Sequence, residues 1–218
     1  MDISNLIILG AGHFGHRALI QCSHAYPQCR ITIVDRHAPA LKKIPQSISC
    51  DIICNDGVSY LHALSEKESA QFSWMIPSIP IHVAFEWIKL NLFERVQRVK
   101  IPESILSQLP NAMPKNKSTV YMSYATFRCP DNCSEPADYC FVTKQARAIS
   151  LFDKLQYLKN NHFSSIVMRS RQILPGLGGF QLRDLLDTLS LVESSERPIL
   201  LSTACRCHGV MDAFEIKG

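Results

Sequence analysis

The sequence lacks two features that would place it in common functional classes. It has no run of lysine and arginine residues, although its 23 basic residues outnumber its 19 acidic ones and give a net charge of +4. Because nucleic-acid-binding proteins concentrate positive charge on one surface, this scatter argues against DNA or RNA as a partner. The most apolar stretch, residues 72–93, is interrupted by Pro77, Pro80 and charged side chains, which argues against membrane insertion.

Several common catalytic signatures are also missing. The sequence contains no HExxH motif, no Walker motif and no Ser/His/Asp pattern, so hydrolase and NTPase functions have no support. No basic segment precedes the first apolar run, and the sequence therefore predicts a cytoplasmic protein. Since thiols stay reduced in the cytoplasm, the nine cysteines are expected to be metal ligands or reactive groups and not disulfides.

The clearest motif that is present is a glycine-rich turn near the N-terminus. An apolar run at residues 5–9 is followed by Gly10, Gly12 and Gly15, and a second apolar run ends in Asp35. In a strand–helix–strand unit this spacing predicts dinucleotide binding. The first glycine permits a tight turn, the second lets the backbone approach a pyrophosphate, and the third lets the helix pack on the sheet. The alternative is a turn whose glycines serve packing alone.

Residues beside this motif complete the predicted cofactor site. Asp35 can accept hydrogen bonds from both ribose hydroxyls and favours NAD, whereas Arg36 would suit the 2′-phosphate of NADP. Asp56 could bind the adenine end of the cofactor, or it could simply form a polar turn. Three further residues belong to the predicted cofactor site. His13 and Phe14 lie on the first turn of the helix, and Pro77 lies at the carboxyl end of a later strand.

Three stretches of the first 95 residues resemble one known family. They are Gly10-Ala11-Gly12-His13-Phe14-Gly15, Ile33-Val34-Asp35 and Asn55-Asp56-Gly57. Together they resemble the TrkA-N (RCK-type) NAD-binding domain, with Asn55 standing where that family usually has glycine. The resemblance implies nucleotide binding and a role in regulating potassium channels or transporters. The rest of the chain does not resemble the regulatory C-terminal domain of that family.

The order of strand and helix patterns predicts an α/β fold. Among the predicted elements are a first helix from about Phe14, a strand at Asp51–Cys54, a helix near Gln181–Leu191 and a short final helix after Gly209. We expect a Rossmann-type, doubly wound parallel sheet extended by a second α/β segment with a cysteine-rich loop. The expected divisions are a dinucleotide-binding domain at residues 1–102, a linker at 103–118 and the cysteine-rich segment at 119–218, which could extend the same sheet.

The second half carries an unusual set of candidate metal ligands. They follow the ends of predicted strands and are Cys129, Cys133, Cys140, Cys205, Cys207 and His208. If those strands share one parallel sheet, the ligands meet at one edge, because parallel strands end on the same side. Thiolates suit Zn²⁺ or an iron–sulfur cluster, with the first three cysteines as ligands and one of the last three residues completing the set. Glu135 and Asp138 would support them. A metal-free reactive dithiol is the alternative.

A glycine-rich loop, Pro175–Gly179, falls at a third predicted strand end. Opening a helix, it could cradle an anionic substrate, with Arg169, Arg171 and Arg206 as clamps; a plain turn is the alternative.

These features support one leading function and two others. The leading hypothesis is an NAD(H)-binding redox protein, an NAD-dependent oxidoreductase if it turns over, with a zinc or iron–sulfur site near the cofactor edge. A TrkA-N-like regulator with a structural zinc would instead bind NAD(H) without turnover and form a homo-oligomer. Dehydrogenase–chelatases of tetrapyrrole synthesis also begin with a glycine-rich unit, but no chelatase signature is present. The sequence singles out no catalytic side chain.

Overall fold

The computed structural model describes residues 3–65 and 73–217 of this chain. The fold is mixed α/β, with two mixed sheets of six strands and seven helices in the described part. The chain divides into two compact units: Met1–Asn91 with Leu177–Leu186, and Leu92–Gly176 with Asp187–Gly218. Among the described residues, no helix is both long and apolar enough to cross a membrane.

The elements alternate between strand and helix in the first half only. The helices are α1 (His13–Ala25), α2 (Ala38–Leu41), α3 (Gly57–Ser65), α4 (Val83–Leu92), α5 (Glu103–Leu106), α6 (Leu151–Gln156) and α7 (Leu182–Glu193). The strands are β1 (Asn5–Leu9), β2 (Arg30–Asp35), β3 (Asp51–Cys54), β4 (Trp74–Pro77), β5 (Val96–Arg98), β6 (Met113–Pro114), β7 (Thr119–Ser123), β8 (Ser164–Arg169), β9 (Arg171–Leu174), β10 (Leu177–Gln181), β11 (Ile199–Ala204) and β12 (His208–Ile216).

The first unit is built on parallel strands. Five strands of its sheet lie in the order β3-β2-β1-β4-β10; the first four are parallel and β10 runs antiparallel to β4. β1 is a continuous apolar run whose last four residues are buried, as expected for a central strand covered on both faces. The carboxyl ends of β1 to β4 therefore lie at one edge of the sheet. β5, which the sequence predicts as the next parallel strand, instead pairs with β12 in the second unit.

The second unit has its own, mostly antiparallel sheet. Its order is β6-β7-β12-β11-β8, and β5 also pairs with β12. β12 is antiparallel to both β7 and β11, and β11 is parallel to β8, so β7, β11 and β8 all run in the same direction. Their carboxyl ends share one edge, as the sequence predicts for the cysteine-rich segments, although the sheet as a whole is mixed.

Two sequence predictions in the second half are wrong for a common reason. The predicted final helix is the nine-residue strand β12, whose residues 211–214 are buried. Residues 177–181 form β10, so the Pro175–Gly179 loop does not open a helix, although α7 begins at Leu182, one residue after the start that the sequence predicts. A short apolar run is compatible with either element, and pairing with distant strands decides between them.

Residues 103–118, expected to form a short helix and a linker, contribute to the second unit. They contain α5 and β6, and Ile105 and Leu109 lie in the same buried cluster as Leu151 and Met211. Burial of these apolar side chains explains why a polar, proline-containing stretch is ordered here.

Candidate functional site

The glycine turn after β1 has a conformation that its first residue makes possible. Gly10 has φ = 102°, and its N–H donates to the carbonyl oxygen of Val34 at 2.7 Å. A Cβ atom at this position would lie 2.8 Å from Ile79 Cγ2 and 2.9 Å from the Ser78 carbonyl oxygen. Positive φ and close backbone contact both favour glycine. The turn is thus held between the ends of β2 and β4.

The other two glycines of the motif differ in the space available for a side chain. A Cβ atom on Gly15 would lie 1.8 Å from the carbonyl oxygen of Gly10, so this glycine allows α1 to approach the turn. Gly12 precedes α1 with φ = −78°, and a Cβ atom there would have no heavy atom within 4 Å. Two glycines are therefore required by the fold, whereas Gly12 lies against open space at the start of the helix.

Asp35 joins the glycine turn to the end of β2. Its Oδ2 accepts the Ala11 N–H at 2.6 Å, and its Oδ1 accepts the His37 N–H at 2.7 Å. A carboxylate offers about four acceptor positions, so each oxygen retains one for another donor. The side chain can therefore order the turn and still accept hydrogen bonds from a ligand.

The remaining predicted cofactor residues surround this edge of the first unit. His13, Phe14 and Arg36 are exposed, and Pro77 lies opposite Leu9 in the β1–β4 register. Asp56 has a local role, because its Oδ1 accepts the N–H groups of Val58 and Ser59, each at 3.0 Å, as an N-cap does. Contact between Asp56 and a cofactor stays a prediction.

In the second unit the predicted metal ligands come together. We call Cys129, Cys133, Cys140, Cys205, Cys207 and His208 the thiol cluster. Five of its residues line one cavity of about 640 Å³: Cys129, Cys133, Cys140, Cys207 and His208. The last three residues of the cluster belong to the turn between β11 and β12, which the Cys205 N–H closes on the His208 carbonyl oxygen at 2.9 Å.

His208 lies between two thiols of this cluster. Its Nε2 is 3.5 Å from Cys129 Sγ, and its Nδ1 is 3.8 Å from Cys205 Sγ. Cys205 Sγ also accepts the backbone N–H groups of Cys207 and His208, each at 3.4 Å. The imidazole therefore links the cysteine-rich loop to the hairpin turn, while Cys205 is engaged within the turn itself.

Arg147 fastens the cysteine-rich loop to the hairpin. Its guanidinium donates to the carbonyl oxygens of Pro136, Ala137 and Tyr139, and to Cys207 Sγ at 2.9 Å. Only a planar group with several donors can make four such contacts together. The sequence does not single out Arg147, because nothing in the spacing of the cysteines indicates it.

Further hydrogen bonds hold the same loop from other sides. The Cys133 carbonyl oxygen accepts the Gly176 N–H at 2.8 Å and the Gln172 amide at 2.7 Å. Glu135, with φ = 45°, accepts the Arg206 N–H at 2.6 Å through Oε1. The turn at Gly176, where φ is 72°, thus supports a cysteine, which differs from the anion cradle that the sequence suggested.

Two of the three predicted arginine clamps lie beside an aromatic ring. The guanidinium carbons of Arg169 and Arg206 are 4.3 and 5.9 Å from the centre of the Phe152 ring, within the range of cation–π contact. Arg206 also donates to the Ser150 hydroxyl at 3.1 Å. These contacts give both side chains a packing role.

Removal from water and nearby charges set the protonation of the cluster. Burial raises the pKa of the Cys129, Cys205 and Cys207 thiols, and the Glu135 carboxylate adds to this at the last two. Arg147 opposes the increase in pKa at Cys207. At Cys140, hydrogen bonds from Thr143 lower the pKa. Binding of a cation by the buried thiols would therefore release protons.

The cluster is not arranged around a single point. Across residues 3–65 and 73–217, no three His, Cys, Asp or Glu side chains are placed so that they could hold one metal ion. All nine cysteines are free thiols, and Cys22 is buried in the first unit. The structure thus gathers soft donor groups around a cavity without a preformed single-ion site.

Comparison with known proteins identifies relatives of this chain. Residues 84–217 match the family described as "Uncharacterized protein, C-terminal domain", a stretch that contains the whole thiol cluster and begins after the glycine turn. A protein of Archaeoglobus fulgidus named "Uncharacterized protein" is 32% identical over 145 residues. The alignment covers 65% of this chain and 65% of that relative. No solved structure matches.

Proposed function

The chain belongs to the family of this C-terminal domain, and we propose that it is an NAD(H)-binding redox protein whose second unit holds zinc or an iron–sulfur group on cysteine thiolates. The observation that carries the proposal is the thiol cluster. Cys129 and His208, 79 positions apart, are in contact, and three more cysteines line the same cavity. Such a concentration of soft donors is characteristic of Zn²⁺ and iron–sulfur sites.

The first unit supports the dinucleotide part of the proposal. The strand order β3-β2-β1-β4 is the order that a Rossmann-type sheet has over its first four strands, and the glycine turn follows β1 at the carboxyl edge. α1 has no acidic residue in its first turn, so its N-terminal partial charge is available to a phosphate. Open space at Gly12 would admit the pyrophosphate, and Asp35 would accept the ribose hydroxyls.

The thiol cluster supplies the ligands for the second part. Deprotonated cysteines would hold the metal or cluster, Arg147 would orient Cys207, and Glu135 would keep the loop against the hairpin. An iron–sulfur group, when bound, supplies one-electron chemistry, whereas zinc would brace the loop.

Replacement of Gly12 by alanine tests NAD(H) binding most directly. Its Cβ atom would meet nothing in the protein, so the fold should be unchanged, but it would stand where the pyrophosphate is proposed. We expect Gly12→Ala to weaken NADH binding about tenfold or more, roughly 1.4 kcal/mol, in a calorimetric titration. Equal binding by the variant, or no binding by the wild type, would refute this site.

Asp35→Asn is the second test of the same site. The substitution places an amide N–H₂ where an oxygen accepts a backbone N–H, so both binding and stability should fall, the latter by about 1–3 kcal/mol. The thermal midpoint of the first unit measures the loss of stability, and the NADH affinity measures the loss of binding. Unchanged NADH affinity in a folded variant would contradict the ribose assignment.

Turnover separates the leading proposal from a regulatory protein. A redox protein should oxidise NADH anaerobically to NAD⁺ and a proton, passing two electrons to two molecules of ferricyanide. A nucleotide-sensing regulator is favoured as the second candidate because every residue of the glycine-turn site lies in the first unit. It would bind NADH at the same site without this reaction, and tight binding with no oxidation would decide in its favour.

A further inference from the structure

We propose that the thiol cluster holds an iron–sulfur cluster on four thiolates, those of Cys129, Cys133, Cys140 and Cys207, and that Cys205 is not a ligand. This inference rests on the thiolate site of the proposed function and specifies both its group and its ligands.

The number and placement of the thiols carry the first step. All four proposed ligands line one cavity, and they are the only cysteines among its described lining residues. Four cysteine thiolates form the common ligand set of iron–sulfur clusters. The ligands come from the loop at residues 129–140 and from the β11–β12 turn, so they approach the cavity from two segments.

The placement of the thiols favours a cluster over a single ion. The cavity that they line has a volume of about 640 Å³, which leaves room for a group of several atoms. A single ion needs its donors in contact with one centre, and no described group of three is so placed. A cluster has irons and sulfides between its ligands, so its thiolates surround a larger space.

Cys205 differs from the four proposed ligands in its contacts. It does not line the cavity, and its Sγ accepts two backbone N–H groups within the hairpin turn and lies 3.8 Å from His208 Nδ1. His208 directs its other nitrogen toward Cys129 Sγ at 3.5 Å. Cys205 therefore lies behind the ligands, whereas His208 lines the cavity beside Cys129 and connects the two thiols by hydrogen bonds.

The rest of the cavity wall includes apolar side chains. They are Phe127, Phe141, Val142 and Ile149, and all except Phe141 are exposed. Arg147 donates to Cys207 Sγ, and hydrogen bonds to ligand sulfur are one of the means by which proteins set cluster potentials.

The matched variants Cys207→Ser and Cys205→Ser test the ligand set. The full chain is produced with iron and cysteine supplied, purified anaerobically, and analysed for iron, zinc, acid-labile sulfide, visible absorbance and the electron paramagnetic resonance signal after dithionite reduction. We expect iron and sulfide in the wild type, loss of most of both in Cys207→Ser, and retention in Cys205→Ser, where the serine oxygen can accept the same backbone N–H groups.

Cys129→Ser, Cys133→Ser and Cys140→Ser should behave as Cys207→Ser does. Circular dichroism and NADH affinity show whether each variant is folded, since the NADH site lies in the first unit. A variant that loses iron but keeps its fold and NADH affinity supports the assignment.

The contrary outcomes are distinct. Loss of the cluster in Cys205→Ser with retention in Cys207→Ser would overturn the ligand set. Stoichiometric zinc without sulfide would overturn the cluster and leave the proposed thiolate site standing. An absence of both metals, with all nine thiols free to react, would overturn this inference and the thiolate site together, whatever the NADH affinity.

Discussion

The glycine turn of the first unit and the thiol cluster of the second are assembled over very different lengths of chain. The hydrogen bond between Ala11 and Asp35 spans 24 positions, whereas the contact between Cys129 and His208 spans 79. The glycine turn is shaped by close backbone contacts between adjacent elements. The thiol cluster depends on side chains, chiefly Arg147 and Glu135, that tie a long loop to a hairpin. We therefore expect substitutions to destabilise the glycine turn through steric clash. At the thiol cluster, we expect them to act by removing the hydrogen bonds that hold the loop against the hairpin.

The largest effect is expected at Gly15. A Cβ atom there would lie 1.8 Å from a backbone carbonyl oxygen, so α1 or the turn would have to move. Gly15→Ala should lower the free energy of unfolding of the first unit by about 3 kcal/mol or more. Chemical denaturation measures it, with Gly12→Ala as the matched control. Equal stability of the two variants would show that the glycine turn is not sterically constrained.

Arg147→Ala should have the next largest effect. Removal of the guanidinium would release three carbonyl oxygens and Cys207 Sγ, with a cost of about 2 kcal/mol to the ordering of the loop. Limited proteolysis should show faster cleavage within residues 129–147. Arg147→Lys should be cleaved nearly as fast as Arg147→Ala, because an ammonium group cannot make the four contacts of the planar guanidinium. The exposed Arg128→Ala is the control, and equal cleavage of the two alanine variants would contradict the fastening role.

Cys22 shows how a cysteine of the first unit differs from the thiol cluster. Burial raises its pKa from 9.0 to about 12, with a smaller contribution from Cys29. Between these pH values the folded state keeps a proton that the unfolded state releases. The contribution of this thiol to the free energy of unfolding is therefore fully present below pH 9. It falls as the pH rises further, by at most about 1.4 kcal/mol per pH unit.

The free energy of unfolding of the wild type and of Cys22→Ala, measured from pH 8 to 10.5, isolates this dependence. The variant should lose less stability with rising pH than the wild type does. Parallel curves would mean that Cys22 is accessible to water in the folded protein.

The smallest effect is expected at Asp56, which caps α3. Asp56→Ala should cost about 1 kcal/mol because two backbone N–H groups lose their acceptor, whereas Asp56→Ser should keep the cap. Thermal unfolding distinguishes the two variants. If Asp56 also binds the cofactor, Asp56→Ser would weaken NADH binding while preserving stability. Unchanged affinity would leave it a cap alone.

The sequence was most informative where neighbouring residues determine the conformation. β3 begins and ends where the sequence predicts, at Asp51 and Cys54, and α1 begins one residue early, at His13. Segments of the second unit were harder to predict from the sequence. Residues 208–216 form a strand because β7 and β11 flank them, and residues 103–118 are ordered because Ile105 and Leu109 are buried in the core of that unit. Neither the strands that flank residues 208–216 nor the core that buries Ile105 and Leu109 can be inferred from the local sequence pattern.

The sequence by itself determined the glycine turn, the acid that ends β2, and the cysteines that follow strands β7 and β11. These depend on spacing along the chain, since a positive φ, a close helix or a strand end restricts the residue at that position. Only the tertiary structure decided that β12 reverses the chain between β7 and β11, which brings the cysteines to one edge. It also decided that Arg147 joins them and that Cys205 does not line the cavity with the other four. These contacts depend on long-range pairing, and their free energy comes from groups that are far apart in the chain.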